Sequence, residues 1–132
     1  GTYILNMAEG IQKRLQSELD KFQTVQKDIS KHIGIRQQLE SQLGENTLVK
    51  EELDRLDDGA GVYKMVGPAL IKQELTEAKQ NVQKRIDYIN GELKRHENVI
   101  KELDKKADAH RDSLSKLQHQ FQQSQVKAAA KS

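Results

Sequence analysis

A short stretch near the middle of the chain, VYKMVGPALIKQ (Val62–Gln73), places the strongest constraint on the fold. It contains the only proline, Pro68, and its apolar residues follow the two-residue period of a strand. Gly67 and Pro68 separate two apolar runs, and this pair is typical of a turn because glycine permits a positive φ and proline fixes its own. The stretch therefore predicts a β-hairpin over about residues 61–73, with a buried loop between two helices as the alternative.

The predicted hairpin is apolar on both faces. Its cross-strand pairs are Val66 with Ala69, Met65 with Leu70, and Lys64 with Ile71. One face then carries Val62, Val66, Ala69 and Ile71, and the other carries Tyr63, Met65 and Leu70. A lone two-stranded hairpin is marginal in water and leaves two unpaired edges. Because nothing else in the sequence has a strand pattern, we expect the missing strands to come from other chains.

The rest of the sequence is too polar for a wide core. Of 132 residues, 32% are charged and 4% aromatic, so long helices packed along narrow seams are expected instead. The 22 basic and 20 acidic residues are intermixed, which gives no electrostatic case for nucleic acid or membrane partners. The sequence has no cysteine, which excludes thiol chemistry and weakly favours the cytoplasm. No apolar run or signal peptide suggests a membrane span or export.

The first helix is predicted from about residue 9 to 57, after an extraneous extension over residues 1–6 that ends before the start-like sequence Met7-Ala8-Glu9. One heptad frame contains Ile11, Leu15, Phe22, Val25, Ile29, Leu39, Leu43 and Leu53. The same frame is interrupted by Glu18, His32, Arg36, Asn46 and Lys50. Residues flanking the frame are expected to broaden the stripe, namely Leu19, Ile33, Val49 and Leu56.

The second helix is predicted from about residue 74 to 123, with a frayed or disordered tail over 124–132. Its frame holds Val82, Ile86, Ile89, Leu93, His96, Ile100, Leu103, Ala107, His110, Leu114, Leu117 and Phe121. Antiparallel pairing about the turn matches Ile11 with Phe121, Leu15 with Leu117, Ile29 with Leu103, Leu39 with Leu93, and Leu43 with Ile89. A shift of about one heptad also matches apolar residues.

Each predicted arm is a rod on the order of 70 Å long, with both termini at the end away from the hairpin. Coiled coils fray at their ends, so apolar side chains at this open end are expected to be intermittently available to a partner. The candidate binding residues there are Met7, Ile11, Leu15, Leu19, Leu114, Leu117 and Phe121.

The sequence gives little support for catalysis or a cofactor. His32, His96 and His110 fall on seam positions, where polar residues commonly set register, and no metal-ligand spacing is present. The carboxylates are scattered beside basic partners, and no phosphate-binding glycine loop occurs. We therefore expect no metal, no cofactor and no enzymatic activity.

The central stretch, preceded by Asp57-Asp58 and flanked by two heptad-patterned helices, resembles prefoldin over nearly all of residues 7–126. The run VYKMVGP at this place is specific to that family, whereas the heptads alone are not. Prefoldin subunits of the α class carry two hairpins between their helices. This chain has room for one, so it resembles the β class.

The resemblance implies a heterohexamer of two α-class and four β-class subunits. Their hairpins would form a double β-barrel platform from which six coiled coils extend. Non-native actin and tubulin would be held between the tips without ATP and then passed to the cytosolic chaperonin. The platform residues in this chain would be Val62, Tyr63, Met65, Val66, Gly67, Pro68, Ala69, Leu70 and Ile71.

Two other functions are compatible with a long helical rod. One is a structural scaffold or tether in which the coiled coil is only a spacer. The other is an RNA-binding helical arm, which needs a basic stripe that the mixed charge does not supply. An enzyme is the least favoured reading.

Overall fold

The chain is two long helices joined by one β-hairpin. In a computed structural model that describes residues 2–131, helix α1 spans Thr2–Asp54, strand β1 Val62–Val66, strand β2 Ala69–Gln73 and helix α2 Leu75–Lys131. The predicted fold class, mainly α with two long helices packed on each other as a coiled coil and joined by a single β-hairpin, is confirmed. The alternative of a loop in place of the hairpin is wrong, because the two strands pair.

The chain divides into two compact units, and each helix contributes to both. We call residues 2–32 and 99–131 the terminal unit, and Ile33–Asn98 the hairpin unit. In the terminal unit the helices run antiparallel: Ile11 shares a cleft with Gln120, and Val25 shares another with Lys106. These neighbours lie within about one turn of the partners that the predicted register assigns.

Both predicted heptad frames are confirmed by burial, since every one of their residues is buried or half-buried. The expected broadening of the first seam is wrong at three of its four positions. Leu19, Val49 and Leu56 are 37%, 40% and 40% exposed. Two helices cover only the central positions of each other's seam, and no third helix packs on these flanks within the described residues.

The hairpin unit contains an apolar cluster beside the point where β1 begins. Leu43 and Val62 pack against its buried members, which are Leu53, Leu75, Ala78, Val82 and Ile86. Lys79 Nζ lies 3.9 Å from Asp54 Oδ1 at the edge of this cluster. Val62 thereby fixes the first strand to the helix pair.

The helix ends differ from the predicted ones. Helix α1 ends at Asp54 rather than near residue 57, in a tightened last turn in which Leu56 N donates to Leu53 O at 3.2 Å. Helix α2 continues to Lys131, through the segment from residue 124 for which the sequence predicts a frayed or disordered tail. Alanine and glutamine favour helix there, and Ser124 is buried with its hydroxyl donating to Gln120 O.

At the other end α1 already begins at Thr2, within the predicted extension. Positions 1 and 132, which belong to the predicted extension and tail, lie outside the described residues. Over the part of the chain that the structure describes, no helix is long and apolar enough to cross a membrane.

Candidate functional site

The first candidate site is the hairpin, and its local geometry follows from its turn. Val66 pairs with Ala69, Met65 with Leu70 and Lys64 with Ile71, as the sequence predicted. Gly67 has a φ of 58°, a value that an L side chain rarely adopts. A positive φ at the first of two turn residues is typical of type II′, whose twist matches that of the strands it joins. The turn therefore sets the register of all five cross-strand pairs.

Most of the apolar surface of the hairpin is exposed. Five large side chains are about half to two-thirds exposed: Tyr63 60%, Met65 65%, Val66 48%, Leu70 66% and Ile71 49%. Cross-strand partners point to the same side of a sheet. Tyr63, Met65 and Leu70 consequently form one face, and Val66, Ala69 and Ile71 belong to the other. Of the predicted assembly residues, only Val62 is half-buried, because it packs on the helical cluster.

The hairpin also has unpaired edges. Within the described residues the sheet contains β1 and β2 alone, so each strand pairs along one side only. Backbone N–H and C=O groups along the outer sides can pair with further strands. Edges of this kind together with two exposed apolar faces are suited to building a larger sheet.

The second candidate site is the set of predicted tip residues, which all belong to the terminal unit. Ile11 is 4% exposed and Leu19 is 37% exposed. The remaining five are half-buried: Met7, Leu15, Leu114, Leu117 and Phe121. Met7 and Ile11 line a shared cleft with Gln120, Gln123 and Ser124. The predicted residues thus share one unit, in which Ile11 is buried while the others retain solvent-facing surface.

Polar contacts between the helices of the terminal unit were missed by the sequence reasoning. Nδ1–H of His110 donates to Oε1 of Glu18, and both side chains are largely shielded, at 23% and 17% exposure. The Arg111 guanidinium lies 5.5 Å from the centre of the Phe22 ring and also donates to Asp108 at 2.9 Å. The sequence contained a partial signal for these contacts. Glu18 interrupts the first heptad frame, and Phe22 and His110 occupy positions in the first and second frames. These contacts hold the two helices at a defined register.

Among the described residues, shifted pKa values are resolved for one ion pair, Glu92 and Arg95. Arg95 Nη2 lies 2.7 Å from Glu92 Oε2, and this bond holds the pKa of the Glu92 carboxyl below its usual value and raises the pKa of Arg95. The pair is an exposed i,i+3 contact on one helix. Across residues 2–131 no group of three His, Cys, Asp or Glu side chains is arranged to hold a metal ion.

Comparison with known proteins gives consistent matches. The family described as "Prefoldin subunit" matches residues 16–121. Prefoldin subunit 6 of Canis lupus familiaris is 49% identical over 126 residues, covering 96% of this chain and 98% of the relative. Prefoldin subunit 6 of Homo sapiens is 50% identical over 123 residues, covering 93% and 95%. The protein of the same name from Arabidopsis thaliana is 43% identical over 112 residues, covering 85% and 87%.

A solved structure is similar in fold. The crystal structure of the prefoldin beta subunit from Thermococcus strain KS-1 matches with a TM-score of 0.74, over 78% of this chain and 90% of that chain. The sequence identity is 22%, so this likeness concerns the fold alone.

Proposed function

The chain belongs to the prefoldin family of chaperone subunits, and from this premise we propose that it assembles through its hairpin into a heterohexamer that captures unfolded proteins at its helical ends. The relatives compared above are named prefoldin subunit 6, and we assign this chain to the β class because its sequence has room for only one hairpin. In this proposal two α-class and further β-class subunits are its partners. The clients are non-native polypeptides such as actin and tubulin, which are passed to the cytosolic chaperonin in the cytoplasm.

One observation carries the assembly part of the proposal. Tyr63, Met65 and Leu70 form an apolar hairpin face on which each side chain is 60–66% exposed. Contiguous apolar surface of this kind is costly to leave in water, and it marks an interaction site. The unpaired edges beside it supply the hydrogen-bonding groups that strands of neighbouring subunits need. A β-barrel platform built from several hairpins would cover both.

Charge placed on the hairpin tests this assembly. The double variant Val66→Asp/Ile71→Asp should leave the helices folded but abolish incorporation, because two carboxylates cannot be buried at low cost. The matched control Leu48→Asp/Tyr88→Asp changes helical residues of the same unit that are 61% and 68% exposed, and it should assemble normally. Native mass measurement of the complex purified with its partners shows whether each of the two variants is incorporated. If the hairpin variant co-purifies with every partner at the wild-type ratio, the hairpin is not the assembly element.

The wild-type chain without its partners provides a second test of the exposed hairpin surface. Its open edges and exposed hairpin faces should cause self-association or aggregation. Light scattering at rising protein concentration measures this, with the Asp double variant as the comparison. A stable wild-type monomer would show that the hairpin faces do not need partners.

The client-binding part of the proposal rests on the apolar residues of the terminal unit. Burying a few hundred Å² of apolar surface gives only several kcal/mol at about 25 cal/mol per Å², before ordering costs are subtracted. One helical end should therefore bind a client weakly and release it readily. Several ends on a common platform gain affinity because the second contact is intramolecular. Met7 supplies an adaptable outer contact.

Trimming the helices tests where clients bind. Removing the residues before Leu19 and after Leu114 takes away only parts of the terminal unit, so the hexamer should still form. Suppression of client aggregation should fall in part, and fall further as the other subunits are trimmed in turn. A point-variant pair, Leu117→Ser against the exposed control Gln118→Ser, gives the same comparison without shortening the helix. Undiminished suppression after all ends are trimmed would move the client site to the platform or the inner shafts.

The proposal includes passive action without a nucleotide or metal. Aggregation assays with the assembled complex should give the same suppression with and without ATP, and before and after EDTA treatment. A strict requirement for either would contradict passive holding. A scaffold or tether would instead assemble normally yet suppress no aggregation at all.

A further inference from the structure

A cleft between the helices of the terminal unit is lined by basic side chains and a leucine. It encloses about 410 Å³ and is open to solvent. We call it the cationic cleft, and its lining side chains are Arg14, Ser17 and Lys21 from α1, and Ser113, Lys116 and Leu117 from α2, together with Glu18. The hydroxyls of the two serines can donate hydrogen bonds to an anion.

The positive charge of the cleft is only partly compensated. Glu18 is its one acidic lining residue, and its Oε1 already accepts the hydrogen bond from His110. Its Oε2 lies 4.0 Å from Lys21 Nζ, at the limit of an ion pair. Arg14 and Lys116 form no ion pair with any of the residues that the structure describes. Two lining cations are therefore available to a ligand.

The net charge of the whole terminal unit has the same sign. The described residues of the terminal unit include twelve Lys and Arg against eight Asp and Glu, a net charge of +4. The hairpin unit has ten against twelve, a net charge of −2. No acidic residue follows Asp112 in the sequence. A balanced total of +2 thus conceals a basic terminal unit, which attracts anionic partners.

From this arrangement we propose that the cationic cleft binds an acidic segment of an unfolded client, one whose carboxylates flank an apolar side chain. The proposal rests on client capture by the terminal unit. Arg14 and Lys116 pair with the carboxylates, and half-buried Leu117 contacts the apolar side chain. An acidic peptide fits better than RNA, because the cleft encloses only about 410 Å³ and contains Glu18. The basic residues of the terminal unit are also interspersed with acidic ones, whereas an RNA-binding arm needs a basic stripe.

The test uses the assembled complex with a reporter on this subunit alone. The sequence has no cysteine, so a Gln118→Cys chain can be labelled with an environment-sensitive dye before assembly. Gln118 is exposed next to Leu117 and does not line the cleft. Three synthetic peptides of equal length and apolar content serve as probes, one flanked by Asp and Glu, one by Gln and one by Lys. The acidic peptide should bind this site most tightly.

Removing the charges of Arg14 and Lys116 should abolish the preference of the cationic cleft for the acidic peptide. In the labelled background, Arg14→Gln/Lys116→Gln should weaken the acidic peptide about fivefold, because each exposed ion pair contributes less than a factor of about five. The uncharged peptide should bind as before. The matched control Lys27→Gln/Lys101→Gln removes two exposed cations of the same unit that do not line this cleft, and the preference should persist. Raising the salt concentration should weaken the acidic peptide and leave the uncharged peptide nearly unchanged.

The possible outcomes separate this inference from the proposed function. If the acidic peptide binds no more tightly than the uncharged one, the cationic cleft does not select acidic segments, while client capture stands. If no peptide binds and aggregation is not suppressed, client capture itself fails. If a short RNA displaces the acidic peptide and binds more tightly through Arg14 and Lys116, the cleft is a polyanion site and the peptide assignment is overturned.

Discussion

Truncating the two hairpin faces separately should weaken assembly by different amounts. Met65→Ala/Leu70→Ala shortens one face, and Val66→Ala/Ile71→Ala shortens the other. These changes keep the backbone and its edges intact and remove only apolar volume. They therefore ask how much of the assembly free energy comes from side-chain burial.

The expected magnitudes follow from the exposed fractions. Met65 and Leu70 are 65% and 66% exposed, and each truncation removes three heavy atoms. At about 0.8 kcal/mol per buried CH₂, covering that exposed two-thirds contributes about 3 kcal/mol for the pair, roughly a hundredfold in the dissociation constant. Val66 and Ile71 are 48% and 49% exposed, and together they lose five carbons. Their truncation should cost about 2 kcal/mol, roughly thirtyfold.

A competition assay measures both values under one condition. Tagged wild-type chain and untagged variant are mixed at known ratios with limiting partners, and the assembled fraction is quantified by mass. Leu48→Ala/Tyr88→Ala is the control, because these helical side chains are 61% and 68% exposed and should compete equally with wild type.

Equal incorporation of all three variants would refute the burial reasoning. The exposed hairpin faces would then stay in water after assembly, leaving backbone pairing at the edges or contacts elsewhere to hold the complex. A larger loss from Val66→Ala/Ile71→Ala than from Met65→Ala/Leu70→Ala would show that exposure in the free chain does not rank the buried faces.

Three further variants test the local structure. Gly67→Ala should destabilise the hairpin by about 1 kcal/mol or more because φ is 58°, whereas Gly59→Ala, in open space without a positive φ, should be nearly neutral in hydrogen exchange. Val82→Ala should lower the free energy of unfolding by about 2 kcal/mol, because Val82 is 2% exposed in the helical cluster; equal melting curves would contradict this. A double-mutant cycle of Glu18→Gln and His110→Gln should give a coupling of about 1 kcal/mol, and strict additivity would mean that their contact contributes nothing.

The hairpin could be predicted from sequence because its determinants are local. A two-residue hydrophobic period and a Gly67–Pro68 pair allow few alternatives, and the turn then sets every cross-strand partner. The heptad frames were equally readable, since burial on two packed helices follows the spacing of the apolar residues. Both features depend on neighbours in the sequence rather than on the rest of the fold.

The ends of the helices and the burial of residues flanking the heptad frame could not be predicted in the same way. Leu19, Val49 and Leu56 fit a broad apolar stripe, but how many helices share a seam decides whether such residues are covered. Near the end of α2, the polar residue Ser124 is buried, shares a cleft with residues of α1 and donates a hydrogen bond to the preceding turn of its own helix. Composition alone suggested fraying there.

Polar contacts between the helices require finer information than any heptad frame contains. If the register of two helices is known only to one turn, the relative position of their residues along the axis is uncertain by about 5.4 Å. Leucine still packs against leucine within that uncertainty. A hydrogen bond needs donor and acceptor within about 3 Å, so the same uncertainty decides whether it forms at all. The contact of Glu18 with His110 and that of Arg111 with Phe22 therefore depend on the exact three-dimensional register of the two helices. The cationic cleft likewise depends on the interhelical register, because its lining side chains come from both helices.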